Sequence, residues 1–275
     1  IRTPLNAIMG MAYLMKKTDL TATQNSYLDK LAQAARTMLG TINDILDFSK
    51  IEAGKIAIER ISFDLDKLLQ KIVNIESVKV EEQGIELLLE KDPALPSYFF
   101  GDPLRIEQIL LNLVNNAVKF TEHGQVKLVV RPAEGQTEVS KLEFIVSDTG
   151  IGMSGEQLEH LFVPFDQGDS SISRRFGGSG LGLSIVKSLV DLMNGEISVT
   201  SEPNVGSVFA VKLPLEPDAV QERARSPRMS VECFRSMRAL ALDQSESARA
   251  QLAECFRSFG IAADMAETPE QAQQL

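Results

Sequence analysis

Asn112 and Asn116 stand four residues apart, and Lys119 follows three residues later. On a helix these three side chains share one face. Amide oxygens ligate Mg²⁺, a hard cation that usually shares its shell with substrate phosphates. A lysine beside them supplies a counter-charge to phosphate. Solvated asparagines on a helix have the same spacing, so the pair alone leaves both readings open.

A second cluster, Asp148-Thr149-Gly150-Ile151-Gly152, directly follows a strand pattern. Glycines there let backbone approach a flat ligand, and the carboxylate can accept a hydrogen bond from an exocyclic amine such as adenine's. A turn with a capping Asp has the same composition. A third cluster, Gly178-Ser179-Gly180-Leu181-Gly182-Leu183, opens a helix. Backbone N–H groups at such a start can point at phosphate, where the helix dipole favours negative charge. Its spacing is neither the dinucleotide fingerprint nor the P-loop, because no Gly-Lys-Ser/Thr follows. A plain flexible loop before a helix is the alternative.

In order, these clusters with Phe162-Val163-Pro164-Phe165 between the last two resemble the N, G1, F and G2 boxes of the Bergerat-type ATPase superfamily. Gly206, Ser207 and Phe209 are similar to its last glycine box. The resemblance implies that ATP and Mg²⁺ bind here. Asn116 would bind the metal with help from Asn112, and Asp148 would read the adenine amine beside Gly150 and Gly152. Lys119 and Arg174 or Arg175 would face the phosphates. Gly178, Ser179, Gly180, Leu181 and Gly182 would wrap them. The stretch from Phe165 to Gly178 would be a lid.

The elements that must hold these groups come in four blocks. Residues 1–55 read as two helices. The first has Leu5, Ile8, Ala12 and Met15, and the second has Leu28, Leu31, Ala35, Met38, Ile42 and Ile45. These steps of three and four are a heptad seam. Thr21 and Gln24 predict a capping box, and Gly54 ends the second helix. A second apolar line, Tyr27, Ala34, Leu39 and Leu46, widens the face beyond one partner helix. Two hairpins joined as a homodimeric four-helix bundle would cover it.

Residues 56–216 mix strands with helices. Strands are predicted at Ile56, Ile58 and 61–63, then at 85–90, 125–131, 141–147, 196–200 and 207–213. Helices are predicted at 65–80, 103–121 and 181–193. Asp102 caps the second of these, and Pro103 sits at its first turn. The pattern gives an α+β chain: a helical hairpin, an α/β sandwich with a mixed sheet, and a further α/β piece. Residues 217–234 are charged and pattern-free, as in a linker. Residues 235–275 read strand, helix, strand and helix start, the front of a parallel βαβ unit.

Among members of the superfamily, the first 55 residues choose the histidine kinases. Ile1-Arg2-Thr3-Pro4-Leu5-Asn6-Ala7-Ile8 is similar to the tail of the H box, which in that family opens with His-Glu. Leu46–Gly54 is similar to the end of the second helix. The resemblance implies transfer of the ATP γ-phosphate to a histidine and then to a receiver Asp, on a response regulator or phosphotransfer partner. Thr3 would orient water for the reverse phosphatase reaction. The acceptor His is absent here: the two histidines, His123 and His160, lie outside the hairpin. This chain is therefore not expected to autophosphorylate. The competing reading is a nucleotide-binding pseudokinase or dimeric scaffold without phosphotransfer. Ala239-Leu240-Ala241-Leu242-Asp243 resembles the first strand of a receiver domain, with Asp243 as its acidic residue and Gln244 where a second acid is usual. The whole reads as part of a hybrid sensor histidine kinase.

The bulk numbers agree. The net charge is −10 over 275 residues, which argues against nucleic acid or an anionic membrane surface as partner. There is no Trp, and aromatic residues are 6%, so the cores must be built from Leu, Ile, Val and Met. Cys233 and Cys255 lack metal-ligand spacing and read as reduced thiols in a cytoplasmic setting. No long apolar run spans a membrane. Because the sequence opens on Ile1 instead of Met, it is expected to be a piece of a longer protein, with an upstream anchor compatible with that expectation.

Overall fold

The computed structural model describes residues 1–133, 141–166, 180–224 and 237–273, with the side chain of Ser258 also outside that set. The chain divides into two units, residues 1–57 with 155–189 and residues 58–154 with 190–275.

Residues 1–57 contain the predicted hairpin, α1 (Arg2–Met15) and α2 (Ala22–Glu52). The capping box is present: Gln24 N donates to Thr21 Oγ1 at 3.3 Å, and Thr21 N donates to Gln24 Oε1 at 2.9 Å. Both are amides the first turn would otherwise leave unpaired. Gly54 follows the helix at φ +62, a left-handed conformation that favours glycine. Arg2 donates twice to Asn43 Oδ1, at 3.1 and 2.7 Å, and so ties α1 to α2. The hairpin buries Leu5, Ala12, Leu28 and Ala35, whereas Tyr27, Leu31, Met38, Ile45 and Leu46 stay exposed. One hairpin alone covers only a fraction of its apolar seam.

Then follow β1 (Ile61–Asp64), α3 (Leu65–Gln83), β2 (Glu86–Lys91), β3 (Tyr98–Gly101), α4 (Pro103–Phe120), β4 (Gln125–Pro132) and β5 (Lys141–Asp148). After these come α5 (Gly155–Glu159), α6 (Gly182–Leu192), β6 (Glu196–Glu202), β7 (Gly206–Pro214), β8 (Glu216–Pro217) and α7 (Ala219–Ala224). Last are β9 (Arg238–Leu242), α8 (Glu246–Ser258), β10 (Ala262–Ala266) and α9 (Pro269–Ala272).

The main sheet has the order β2-β4-β5-β7-β6. β2 runs parallel to β4 and the other neighbours are antiparallel, so the sheet is mixed as predicted. Period-two alternation puts Val126, Leu128 and Val130 of β4 and Leu142, Phe144 and Val146 of β5 into the core. α4 packs on these two strands and on α3. It buries Ile106, Ile109, Leu110, Leu113, Val114, Ala117 and Val118, an apolar stripe at helical spacing. Asp102 caps it as expected, accepting from Arg105 N at 3.1 Å.

Several features depart from the sequence reading, among them the short helix Gly155–Glu159 and the short strand Glu216–Pro217. Residues 56–60 are not a strand, and pairing starts at Ile61. Tyr98–Gly101 is a strand that the apolar periodicity did not reveal, because four residues carry too few alternations. It is the middle of a small antiparallel sheet, β1-β3-β8. The stretch from 217 is not pattern-free at its start, since α7 forms there with Asp218 accepting from Val220 N and Gln221 N. β9 and β10 pair in parallel, as the βαβ pattern predicts. Among the described residues, no helix is long and apolar enough to cross a membrane.

Candidate functional site

Asp148 ends β5, at the centre of the main sheet. Gly150 N donates to its Oδ1 at 2.8 Å. Burial pushes the carboxyl above the ordinary aspartate value. Hydrogen bonds from Gly150 and from the backbone and hydroxyl of Ser207 pull the other way without cancelling it. The result is a half-buried acceptor, oriented from two strands and their following turn.

The glycines of the turn after it have no space for a side chain. A Cβ on Gly150 would lie 2.4 Å from the Phe120 carbonyl oxygen, and one on Gly152 would lie 2.0 Å from that of Glu202. Gly206, at φ +136, would place a Cβ 1.9 Å from the Asp148 carbonyl oxygen. Only glycine permits such approach of backbone to backbone. Ile151 N donates to Phe120 O at 3.2 Å, and Asn204 N donates to Ile151 O at 2.8 Å. The turn is thereby stitched to the last residue of α4 on one side and to the β6–β7 turn on the other.

That stitch brings the first two predicted clusters together, since α4 carries Asn112, Asn116 and Lys119 toward its C-terminal end. All three are partly exposed along the rim of the helix's buried stripe. Asn112 Nδ2 donates to Gln108 O at 3.0 Å, so the helix carbonyl engages the amide nitrogen and not the amide oxygen. A neutral amide oxygen fits a hard cation that shares its shell with phosphate. Lys119 is half-buried, and burial pushes its ammonium below the ordinary lysine value. Its Nζ lies 4.7 Å from the centre of the Phe120 ring, an attraction between cation and ring face.

The third cluster falls partly outside the described residues: Arg174, Arg175, Gly178 and Ser179 lie there, as does most of the stretch expected as a lid. Gly180, Leu181 and Gly182 are described. Gly180 adopts φ +69, and its carbonyl accepts from Phe165 N at 3.1 Å. Leu181 is fully buried and anchors the start of α6, where Ser184 Oγ donates to its carbonyl at 2.9 Å. The first amides of this eleven-residue helix form the kind of N-terminus that favours anions. Phe165 holds φ +64, and its ring meets Phe48 of α2 edge-on at 6.1 Å between centroids.

Thr3 sits exposed in the first turn of α1. Asp243 stands at the C-terminal end of β9, where its Oδ1 accepts from Ser245 N at 2.8 Å. Cys255 is exposed on α8, and Cys233 lies outside the described residues.

Two family profiles match the chain. Residues 1–54 match the His Kinase A (phospho-acceptor) domain, and residues 101–217 match the histidine kinase-, DNA gyrase B- and HSP90-like ATPase domain. The chain belongs to the histidine kinase family. The signal transduction histidine-protein kinase BarA of Escherichia coli K12 is 42% identical over 253 residues, covering 91% of this chain and 27% of BarA. Hybrid signal transduction histidine kinase B of Dictyostelium discoideum is 42% identical over 214 residues, covering 78% of this chain and 11% of the relative. The chain thus spans about a quarter or less of these curated relatives. The crystal structure of full-length ShkA in complex with AMPPNP superposes with a TM-score of 0.75 at 31% identity, covering 100% of this chain and 55% of ShkA.

Within this kinase fold, the residues that sequence reasoning missed are those whose bonds to main-chain atoms hold the turn. Phe120 matters by its carbonyl. Thr149 matters because its hydroxyl accepts from Gln125 N at 3.0 Å, fastening the turn to the start of β4. Ser201 Oγ accepts from Met153 N at 2.8 Å and donates to Gly206 O at 2.9 Å. None of these has a spacing signal, because each contact joins residues far apart in the chain or uses main-chain atoms.

Proposed function

We propose that this chain is the dimerising and catalytic core of a hybrid sensor histidine kinase, an ATP-dependent protein-histidine kinase of a two-component phosphorelay. The observation that carries the reading is Asp148, a half-buried carboxylate steadied by Gly150 and Ser207 and stitched through Ile151 to the end of α4. That geometry suits a flat base bearing an exocyclic amine, with phosphates running toward Asn112, Asn116 and Lys119.

In this reading Asp148 accepts from the adenine amine, and Gly150 and Gly152 let backbone lie close to the ring. Lys119 faces the phosphates. By the resemblance, Arg174 or Arg175 would face them, and Gly178 to Gly182 would wrap them. Mg²⁺ would be held by Asn116 with Asn112, and when bound it neutralises charge on the phosphates. The acceptor is the histidine that the H-box pattern puts ahead of Ile1, with its neighbouring Glu as base. Thr3 orients water for the reverse reaction.

Two hairpins pair through the exposed seam of α1 and α2 into a four-helix bundle. The β9–α8–β10 unit begins a receiver domain in which Asp243 is the retained acid and Gln244 weakens the metal site. The phosphoryl group passes to an Asp on a receiver of this or another protein. The core works in the cytoplasm, with any membrane anchor in another part of the protein.

Titration calorimetry of the chain with ATP, with and without Mg²⁺, tests the central claim. Saturable binding that Mg²⁺ tightens is expected. Absence of nucleotide binding overturns the reading.

A further inference from the structure

The small sheet β1-β3-β8 carries none of the candidate site residues, yet the chain's incoming and outgoing segments both fasten there. β3 is its middle strand. Ile61 to Asp64 pair with it on one side, and Glu216 and Pro217 pair with it on the other. Its last residue, Gly101, is followed at once by Asp102, the cap of α4. Asp102 is buried, and both of its oxygens are used: Oδ1 accepts from Arg105 N and Oδ2 from Glu59 N, each at 3.1 Å. A Cβ on Gly101 would lie 2.7 Å from Leu215 Cδ2 and 3.3 Å from Phe63 Cε1. The incoming and outgoing strands therefore close on the residue just before the helix that bears Asn112, Asn116 and Lys119.

α7 reaches back over the other end of β3. Glu222 Oε2 accepts from Ser97 N at 2.8 Å and from Tyr98 N at 3.2 Å. Asp218 N donates to Tyr98 O at 2.8 Å, and Ser62 Oγ donates to Asp218 Oδ2 at 2.5 Å. Ser97 is fully buried, and its hydroxyl donates to Asp66 Oδ2 at 2.6 Å. The other oxygen of Asp66 pairs with Lys91 Nζ of β2, also at 2.6 Å.

The C-terminal unit touches the same network from outside. Glu86 N donates to Gly124 O and Asp92 N to Val130 O, so even-numbered residues of β2 face β4. Leu89 then points its carbonyl out from the open edge of the main sheet. Gln251 Nε2 of α8 donates to that carbonyl. Leu89 is two residues from Lys91, and Lys91 leads through Asp66 to Ser97. Among the described residues, α7 bonds to Ser97 directly, and Gln251 holds β2 two residues from the Lys91 that leads through Asp66 to Ser97.

We propose that residues Glu216–Ala224 form a clasp through which the β9–α8–β10 unit controls the order of the start of α4, and so the affinity of the nucleotide site. The link to affinity rests on the proposed function. α7 has six residues, and its Val220 is exposed, so polar ties to β3 hold it more than apolar packing does. An element held in that way can open while the main core stays folded. Its release takes the Glu222 carboxylate away from the N–H groups of buried Ser97 and half-buried Tyr98. β3 spans only four residues before the Asp102 cap, so the disturbance reaches α4 directly.

Hydrogen exchange of the whole chain, with and without ATP, tests the clasp. In Glu222→Gln, the amides of Ser97, Tyr98, Arg105 and Ile106 should exchange at least about tenfold faster, while the β5–β7 ladder keeps its rate and the ATP dissociation constant rises. Val220→Asp, on the exposed side of α7, should change none of these. Gln251→Ala, which leaves the clasp residues intact, should shift the same amides in the same direction by less. Faster exchange at Ser97 and Tyr98 with Arg105, Ile106 and ATP affinity unmoved overturns the proposal, as does a Gln251→Ala chain with no change at Ser97. If the unmutated chain binds no ATP, the nucleotide reading fails, and exchange at the start of α4 still decides whether the clasp exists.

Discussion

Gly150 donates its N–H to Asp148 Oδ1 at 2.8 Å, across a turn whose next amide is held by the Phe120 carbonyl. The carboxylate is thus aimed before any ligand arrives. Asp148→Asn keeps the shape but removes the charge and presents an amide donor to the adenine amine. A charge-assisted hydrogen bond contributes about 1.5–3 kcal/mol, so ATP affinity should fall roughly tenfold to a hundredfold. Calorimetry that finds undiminished affinity would sink the assignment.

The pH dependence of binding follows from the same burial. Asp148 sits above its ordinary value of 3.8 when free, and an adenine amine favours its ionised form. Affinity should be full above the free-state value and fall as pH drops through it, at a higher pH than for a solvated aspartate. Lys119 sits below its ordinary 10.5 when free, and phosphate raises it. Affinity should be full below that free-state value and fall as pH climbs through it. ATP titrations across pH read both limbs, and the part of the acid limb that the carboxyl contributes should vanish in Asp148→Asn.

Asn116→Ala removes one oxygen from the pair on α4 while leaving Asp148 untouched. Binding of ATP with Mg²⁺ should weaken by more than binding of ATP without metal. Equal losses in the two titrations would assign Asn116 to the nucleotide itself and not to the cation.

Gly206→Ala forces a Cβ against the Asp148 carbonyl oxygen at 1.9 Å, at a φ of +136. The backbone must shift, with a cost on the order of 3 kcal/mol. Thermal unfolding should show a marked drop in melting temperature, together with weaker ATP binding. Unaltered melting would mean that the turn between β6 and β7 relaxes freely.

Ile42→Asp tests the hairpin seam. Unpaired charge in an apolar interface is strongly unfavourable, so light scattering should show the unmutated chain as a dimer at high micromolar concentration and the variant as a monomer. A monomeric unmutated chain would remove the four-helix bundle from the account.

Incubated with Mg²⁺-ATP, this chain should form no acid-labile phosphohistidine, because His123 and His160 lie outside α1 and α2. Adding His-Glu ahead of Ile1 should restore labelling. In that extended chain, Thr3→Ala should slow dephosphorylation more than phosphorylation. Label on His123 or His160 in the unextended chain would contradict the mechanism.

The sequence by itself marked most of the elements and singled out the residues proposed for the main site. Heptad steps marked α1 and α2, the Thr21–Gln24 pair placed the start of α2, and Asp102-Pro103 placed the start of α4. These are local signals, written within one or two turns of chain. Asn112, Asn116, Asp148 and the glycines stood out for the same reason, since their spacing is the constraint. Tertiary structure alone decided what joins them. Phe120 contributes a carbonyl, which every residue has, so no residue type could announce its bond to Ile151. Gly206 meets Asp148 only because β5 and β7 are neighbours in the sheet. Tyr98–Gly101 and Ala219–Ala224 are too short for periodicity to register. They also depend on partners distant in the chain, as in the bond from Ser97 N to Glu222, and such pairing exists only once the chain has folded.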